Sequence, residues 1–357
     1  MDMRCVNLLM VGLLVIGVTT SSAHAQAING EHEQNLLPDP REMARVEAAV
    51  DRALEYLLQH QRGDGSWPSG FGDNNVGSNN GVNALCLLAF LGRGHEPGRG
   101  PYQHVIDRAI NYLLATQRDD GLYHSPNTSH GPMYEHGLAT LAMIEAYGFV
   151  PSPEMRRSVQ SAVALIVNSQ NDQGGWRYHP RPNDADLTVS VVQIVALRAA
   201  INARLDVPDE TFEKAQGYVK SCIIDGGGYA YQPGRNDRSL ARAGGGSLSM
   251  QLMGLYDHES VDATLAWMTD QKYGTNIARF WYSNYYAMQA AYQAGGAYWN
   301  QWHPQVRQFL LENQHANGSW EGYNENNHNG NDARCYSTAL GALTLEVYMH
   351  YLPAYQR

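Results

Sequence analysis

The 357-residue chain can hold one large domain or two small ones around a substantial core, which excludes a disulfide-stapled miniprotein. Hydrophobic residues make up 43% and charged residues 17%, with 35 Gly and 22 Tyr, so a turn-rich aromatic globule is expected and a disordered chain is excluded. The formal charge is -10 and no basic run is present to neutralise phosphates, which argues against a nucleic-acid partner.

In chain order, Arg4, an apolar run from Val6 to Val18 and the tripeptide Ala23-His24-Ala25 read as a secretory signal over residues 1–25 with an A-x-A cleavage site. The run is shorter than the roughly 20 residues that span a bilayer, and no later segment reaches that length. An exported protein, periplasmic or secreted, with no integral membrane segment after cleavage is therefore expected. Residues 26–41 read as an N-terminal extension and 42–357 as one helical domain. Cys5 leaves with the signal. Cys86, Cys222 and Cys335 are an odd, widely spaced set in helical segments, which predicts buried thiols and no disulfide framework.

The domain is internally repetitive. Gln61-Arg-Gly-Asp-Gly-Ser-Trp67, Gln117-Arg-Asp-Asp-Gly-Leu-Tyr123, Gln170-Asn-Asp-Gln-Gly-Gly-Trp176 and Gln314-His-Ala-Asn-Gly-Ser-Trp320 share a Gln, a Gly four residues on and an aromatic six residues on. The first three are spaced by 56 and 53 residues, and a degenerate copy, Ile223-Ile-Asp-Gly-Gly-Gly-Tyr229, follows at the same interval. Gln271-Lys-Tyr-Gly274 is the weakest match. Each unit reads as an amphipathic helix, the turn, a Gly/Asn/Pro-rich loop and a more apolar helix. In the first unit Val46, Ala49, Val50, Ala53, Leu54, Leu57 and Leu58 recur at helical spacing before the turn, and Ala84 to Leu91 follow it. The turn itself has a structural reading: Gly closes a helix in the left-handed conformation, Gln bonds freed backbone groups, and the aromatic pins the loop to the next unit. Six stacked helical hairpins with Gly-rich second helices predict an all-α closed double ring.

These Q-x-x-x-G-x-W turns resemble the repeat of the squalene cyclase and protein prenyltransferase superfamily, the prenyltransferase and squalene-oxidase repeat proteins. The resemblance implies a terpenoid cyclase-like α/α toroid of about six inner and six outer helices over residues 42 to 350. It further implies an isoprenoid or bulky apolar ligand in a central cavity.

In such a ring the segments between each turn and its following helix face the cavity. They supply Asn79, Asn80 and Asn83; Tyr134, Glu135 and His136; Asp184, Asp186 and Thr188; Ser247, Ser249 and Gln251; Trp281, Tyr282, Asn284, Tyr285 and Tyr286; and Arg334, Tyr336 and Ser337. This aromatic, weakly charged lining suits a small molecule or a glycan. Tyr134, His136, Trp281, Tyr282, Tyr285, Arg334 and Tyr336 are the candidate substrate contacts.

Asn183-Asp184-Ala185-Asp186-Leu187-Thr188 resembles the D-x-D-D-T acid motif of class II terpene cyclases. By position, Asp184 stands as the first Asp and Asp186 as the proton donor, while Leu187 replaces the last Asp. A plain helix cap accounts for the same residue types. The zinc site of protein prenyltransferases finds only Asp332-Ala333-Arg334-Cys335-Tyr336 as counterpart, with Ala333 where a His is needed, so neither a metal nor another cofactor is expected. His130, His179, His303 and His328, near turns, read as solvated or hydrogen-bonded. A proton-initiated terpenoid cyclase is the activity the resemblance implies. A secreted polysaccharide lyase or glycoside hydrolase, and a non-catalytic binding or scaffold protein, are the alternatives.

Overall fold

The computed structural model describes residues 39–69, 78–125, 131–323, 334–347 and 349. The signal segment, His130, His328, Asp332 and Ala333 lie outside them. Among the described residues the regular structure is all helical: twelve α-helices alternate between two concentric layers. The outer layer holds α1 (Pro40–His60), α3 (Gln103–Ala115), α5 (Pro153–Ser169), α7 (Asp209–Ser221), α9 (Glu259–Thr269) and α11 (Gly296–Glu312). The inner layer holds α2 (Asn80–Gly92), α4 (Met133–Phe149), α6 (Leu187–Asn202), α8 (Leu240–Leu252), α10 (Phe280–Ala294) and α12 (Arg334–Leu345).

The layers follow from hydrophobic patterning. Outer helix α3 buries only the stripe Val105, Ile106, Ala109, Ile110 and Leu113, one face of a helix in contact with water. Inner helix α2 is buried at every residue from Asn80 to Gly92, as expected of a helix packed on all sides. Each inner helix packs on the next, α2 on α4 and onward to α12, and α12 returns to α2, so the ring is closed. Small residues set the inner spacing: a side chain at Gly244 of α8 would overlap the backbone of Ala287 in α10.

The repeated turn is the clasp between neighbouring units. Gln61 donates through Nε2 to the Gly65 carbonyl of its own turn, 3.0 Å, and to the Val105 carbonyl of α3, 2.9 Å. Gln117, Gln170 and Gln314 repeat the pattern on Ser158, Thr211 and Ala49. The last of these joins the final turn to α1 and completes the circle. Gly174, at φ +87°, lies against the Lys214 carbonyl of α7 where any side chain would overlap it.

The aromatics add depth. Trp67, Trp176 and Trp320 are fully buried, and each indole N–H donates to a carbonyl ten residues earlier, Leu57, Ile166 and Leu310. Burial of each such side chain is worth about 3 kcal/mol at most. The weakest repeat departs: Gln271 bonds only its own helix, at Trp267, while Tyr273 packs edge-on against Phe280, Trp302 and Phe309. An aromatic cluster replaces the clasp there. Cys86, Cys222 and Cys335 are buried thiols outside any disulfide, matching the sequence expectation. Among the described residues no helix is long and apolar enough to cross a membrane.

Candidate functional site

Near their N-termini the inner helices leave Tyr134, Thr188, Tyr282 and Tyr336 only half-buried, although the helix residues around them are mostly buried. These half-buried side chains gather at one end of the inner helices, and the fully buried Asp186 is joined to them through Thr188.

Asp186 is the N-cap of α6 and is fully buried. Its Oδ1 accepts the Val189 backbone N–H at 2.9 Å and the Thr188 hydroxyl at 2.7 Å. Tyr134 in turn donates to Thr188 Oγ1 at 2.6 Å, forming a relay from α4 to the carboxyl. Tyr282 of α10 donates to the Thr188 carbonyl at 3.2 Å, so three inner helices meet at this point. Oδ2 has no hydrogen-bond partner, and the Nε of Arg177 is 3.9 Å away. Burial pushes the Asp186 carboxyl above its ordinary range, against the pull of Thr188, Val189, Tyr231 and Arg177 toward the carboxylate. Burial also pushes the Tyr134 and Tyr282 phenols well up, so both stay neutral hydrogen-bond donors.

The turn that carries Asp186 is held from below. Its backbone N–H donates to the Trp176 carbonyl at 3.0 Å, and the Trp176 backbone N–H donates to Ser190 Oγ at 3.0 Å. Asp184 is half-exposed and ion-paired to Arg177, and Gln232 also donates to it at 3.2 Å. Asp184 thus holds Arg177, whose Nε also faces Asp186, so the two carboxylates are linked through one guanidinium. Arg177 lies over the rings of Tyr178 and Tyr231, whose hydroxyls meet at 2.6 Å.

Other expected contacts are placed differently. His136 accepts the Tyr123 backbone N–H at Nδ1, 3.2 Å, and its Nε2 meets the Ala162 carbonyl at 3.1 Å. Both ring nitrogens serve the fold, and burial lowers its pKa to about 4. Trp281 is fully buried, donates to the Glu321 carbonyl at 2.9 Å and packs on Trp320 and Tyr323. Tyr285 is buried against Tyr286, while Tyr282 on the adjacent face of α10 reaches the central space and contacts Tyr286 with ring centroids 4.5 Å apart. Tyr336 lies close enough to Tyr282 for the two phenols to interact electrostatically. Arg334 is ion-paired with Glu321. Asn79 caps α2 and Asn83 accepts the Trp67 N–H, so both have structural work.

Arg177, Tyr178 and Tyr231 are participants that sequence reading missed. Tyr178 and Tyr231 each stand two residues after the turn aromatic, Trp176 and Tyr229, which is the signal that identifies them. Among the described residues no group of three or more His, Cys, Asp or Glu side chains is arranged to hold a metal ion.

With the geometry in hand, the molecule can be set beside known proteins. The model of the prenyltransferase alpha-alpha toroid domain matches residues 36–177 and 81–277. The drimenyl diphosphate synthase of Streptomyces showdoensis is 29% identical over 196 residues, 53% of this chain and 33% of that protein. The squalene–hopene cyclase of Alicyclobacillus acidocaldarius is 25% identical over 127 residues, 34% of this chain and 19% of that protein. The chain thus spans a third or less of the length of these relatives. Among solved structures, the type II terpene cyclase MstE from Scytonema, in complex with its product merosterolic acid A, covers 89% of this chain and 100% of its own, with TM-score 0.59 and 16% identity. An α-1,6-mannanase of Salegentibacter in complex with mannotriose covers 85% of this chain and 99% of its own, with TM-score 0.61 and 10% identity. At such identities the structural likeness concerns the fold alone. The family model covers well over half of the sequence, and the chain belongs to the prenyltransferase alpha-alpha toroid domain family.

Proposed function

We propose that this protein binds an isoprenoid or similarly bulky apolar ligand in the centre of its ring and protonates it from Asp186, as a proton-initiated terpenoid cyclase. One observation carries the reading: a fully buried carboxyl with its pKa raised, Oδ1 held by two donors and Oδ2 without a hydrogen bond. A carboxyl whose pKa is raised favours the protonated form from which a proton can be donated to an alkene or epoxide. The neutral tyrosines Tyr134 and Tyr282 offer ring faces that stabilise a carbocation formed beside the acid. The cyclases among the relatives agree with this reading.

The chemistry then divides simply. Asp186 delivers its Oδ2 proton to the substrate. The resulting carboxylate is held by the Val189 N–H and by the Thr188 hydroxyl, itself polarised by Tyr134. Arg177 at 3.9 Å eases the charge that appears. The test is incubation of the purified protein with squalene and with polyprenyl diphosphates, followed by mass spectrometry of the products. Cyclic products lost in Asp186→Asn support the reading, and unchanged substrates across the panel overturn it.

A glycan-active reading is favoured by the polar group of Tyr178, Tyr231 and Gln232 and by the mannanase likeness, and release of sugars from a polysaccharide panel would replace the first reading. We also propose export of the mature chain after cleavage at Ala25. Edman sequencing of the protein recovered outside the cytoplasm checks this, with Gln26 as the expected first residue.

A further inference from the structure

Proton donation from Asp186 needs its Oδ2 to come within reach of a substrate carbon, yet the carboxyl is fully buried and Oδ2 meets no hydrogen-bond partner. Some side chain has to move aside before the acid can act. The half-buried side chains joined to it are Thr188, Tyr134 and Tyr282.

Two of the three are tied down. Thr188 donates to Asp186 at 2.7 Å and accepts from Tyr134 at 2.6 Å. Met133, the residue before Tyr134, gives its N–H to the Tyr178 carbonyl at 3.1 Å, and its own carbonyl accepts from Gln193 Nε2 at 2.9 Å, so the start of α4 is fixed on both sides. Tyr282 is held differently. Its hydroxyl bond to the Thr188 carbonyl is longer, 3.2 Å, and α10 starts without a side-chain cap after Arg279, whose φ of 51° is left-handed for a bulky residue. The turn leading into α10 is also the one whose Gln271 bonds only its own helix.

The Tyr282 bond reaches past a whole element. Tyr282 belongs to α10 and Thr188 to α6, and α8 lies between, packed on both. Consecutive glycines of α8 draw its two neighbours in from opposite sides: a side chain at Gly244 would overlap the Ala287 backbone of α10, and one at Gly245 would meet Val191 Cγ2 of α6 at 2.9 Å. This narrowing brings the phenol of α10 within reach of α6.

We infer that Tyr282 is a latch over Asp186: its phenol bridges α10 to α6 and keeps the acid sealed, and a ligand reaches Oδ2 when that phenol turns away from the Thr188 carbonyl. The inference rests on the reading of Asp186 as an acid. Phe280 and Trp281 are fully buried and Trp281 donates to the Glu321 carbonyl, so the helix stays in place and the movement is a rotation of the Tyr282 side chain. Once closed over a ligand, the latch keeps water from a reactive intermediate.

The test esterifies protonated carboxyls of the whole protein with an aryl diazoacetamide. The carboxyl proton passes to the diazo carbon, the carboxylate oxygen bonds that carbon and dinitrogen leaves, so the probe needs no isoprenoid chemistry. Peptide mapping by mass spectrometry follows the ester at Asp186 and, as an internal control, at Glu346, a buried carboxyl just after α12 with neither oxygen hydrogen-bonded. Asp186 esterifies about fivefold faster in Tyr282→Phe, the shift in opening that loss of one hydrogen bond brings, and at least about tenfold faster in Tyr282→Ala, with Glu346 unchanged. Equal rates at Asp186 in the wild type and both variants, or no ester in any of them, overturn the latch. A parallel rise at Glu346 marks general loosening and overturns it as well. Faster esterification with no turnover of squalene or polyprenyl diphosphates keeps the latch and overturns the cyclase reading. Turnover that is lost in Asp186→Asn, with equal ester rates in the Tyr282 series, keeps the acid and overturns the latch.

Discussion

Replacement of Asp186 separates its capping role from its acid role, because Asn and Ala remove different things. In Asp186→Asn, Oδ1 is retained and still accepts from Val189 and Thr188, and Asn caps a helix as well as Asp. Stability at neutral pH is then expected to change by no more than about 0.5 kcal/mol. In Asp186→Ala the cap is lost and the buried Val189 N–H is left unmet, a cost of about 1–2 kcal/mol and a Tm lower by a few degrees. Turnover of an isoprenoid substrate falls by about 10²–10⁴-fold in both, since neither has a proton to give. Melting curves across pH add an independent readout. Burial holds the Asp186 carboxyl protonated above the range of the unfolded chain, so the fold binds a proton that the unfolded chain releases. Its favourable contribution is complete below the ordinary carboxylate pKa and is lost as pH rises through the raised value. Asp186→Asn lacks this limb, so its Tm gains on the wild type as pH rises. Wild-type turnover in Asp186→Asn refutes the acid role, and a Tm difference that does not move with pH refutes the raised pKa.

Trp281 and Tyr282 are adjacent yet predicted to behave oppositely: Trp281→Ala costs about 3–5 kcal/mol in urea unfolding, whereas Tyr282→Phe loses one hydrogen bond, about 1 kcal/mol, and lowers turnover. His136 is held neutral with its pKa near 4, so its stabilising contribution is present above the ordinary histidine value and is lost as pH falls toward about 4. His136→Gln should flatten this acid limb of Tm against pH, and an unchanged limb would disprove its neutral, buried role. Gly174→Ala forces a side chain into the Lys214 carbonyl at a positive φ and should cost about 2 kcal/mol or more, while Gly217→Ala, in a helix with open space around it, should stabilise by about 0.5–1 kcal/mol. Equal melting temperatures for the two glycine variants would contradict the clasp.

The fold was legible because its signals are periodic. Gln, Gly and aromatic recur at fixed offsets, and each has a local physical task that the structure assigns to the same residues. The place of Asp186 as a helix cap was legible because its motif is local. The phase of α10 was not, because a segment as dense in aromatics as Phe280 to Tyr286 has no polar face to orient it. Trp281 and Tyr285 fall on the packed side, and Tyr282, one step of about 100° from Trp281, faces the centre. His136 looked like a ligand contact from its neighbours Tyr134 and Glu135, yet it serves as an acceptor for the Tyr123 N–H, a task given to Asn83 and Ser190 in other units. Arg177, Tyr178 and Tyr231 come together only through the packing of neighbouring units, which no spacing along the chain encodes.

The bond from Gln314 to Ala49 spans 265 residues of sequence. An open solenoid grows by adding units to a free end, and each unit can fray without disturbing the others. A closed circle has no end to fray from: the first helix made waits for the last, and the final clasp must be set against a large loss of chain entropy. The ring is therefore expected to melt as one unit. The seam between α12 and α1 then differs from other joints only in lacking a chain connection, so new termini opened in another loop, with the seam bridged by a linker, should give the same circle.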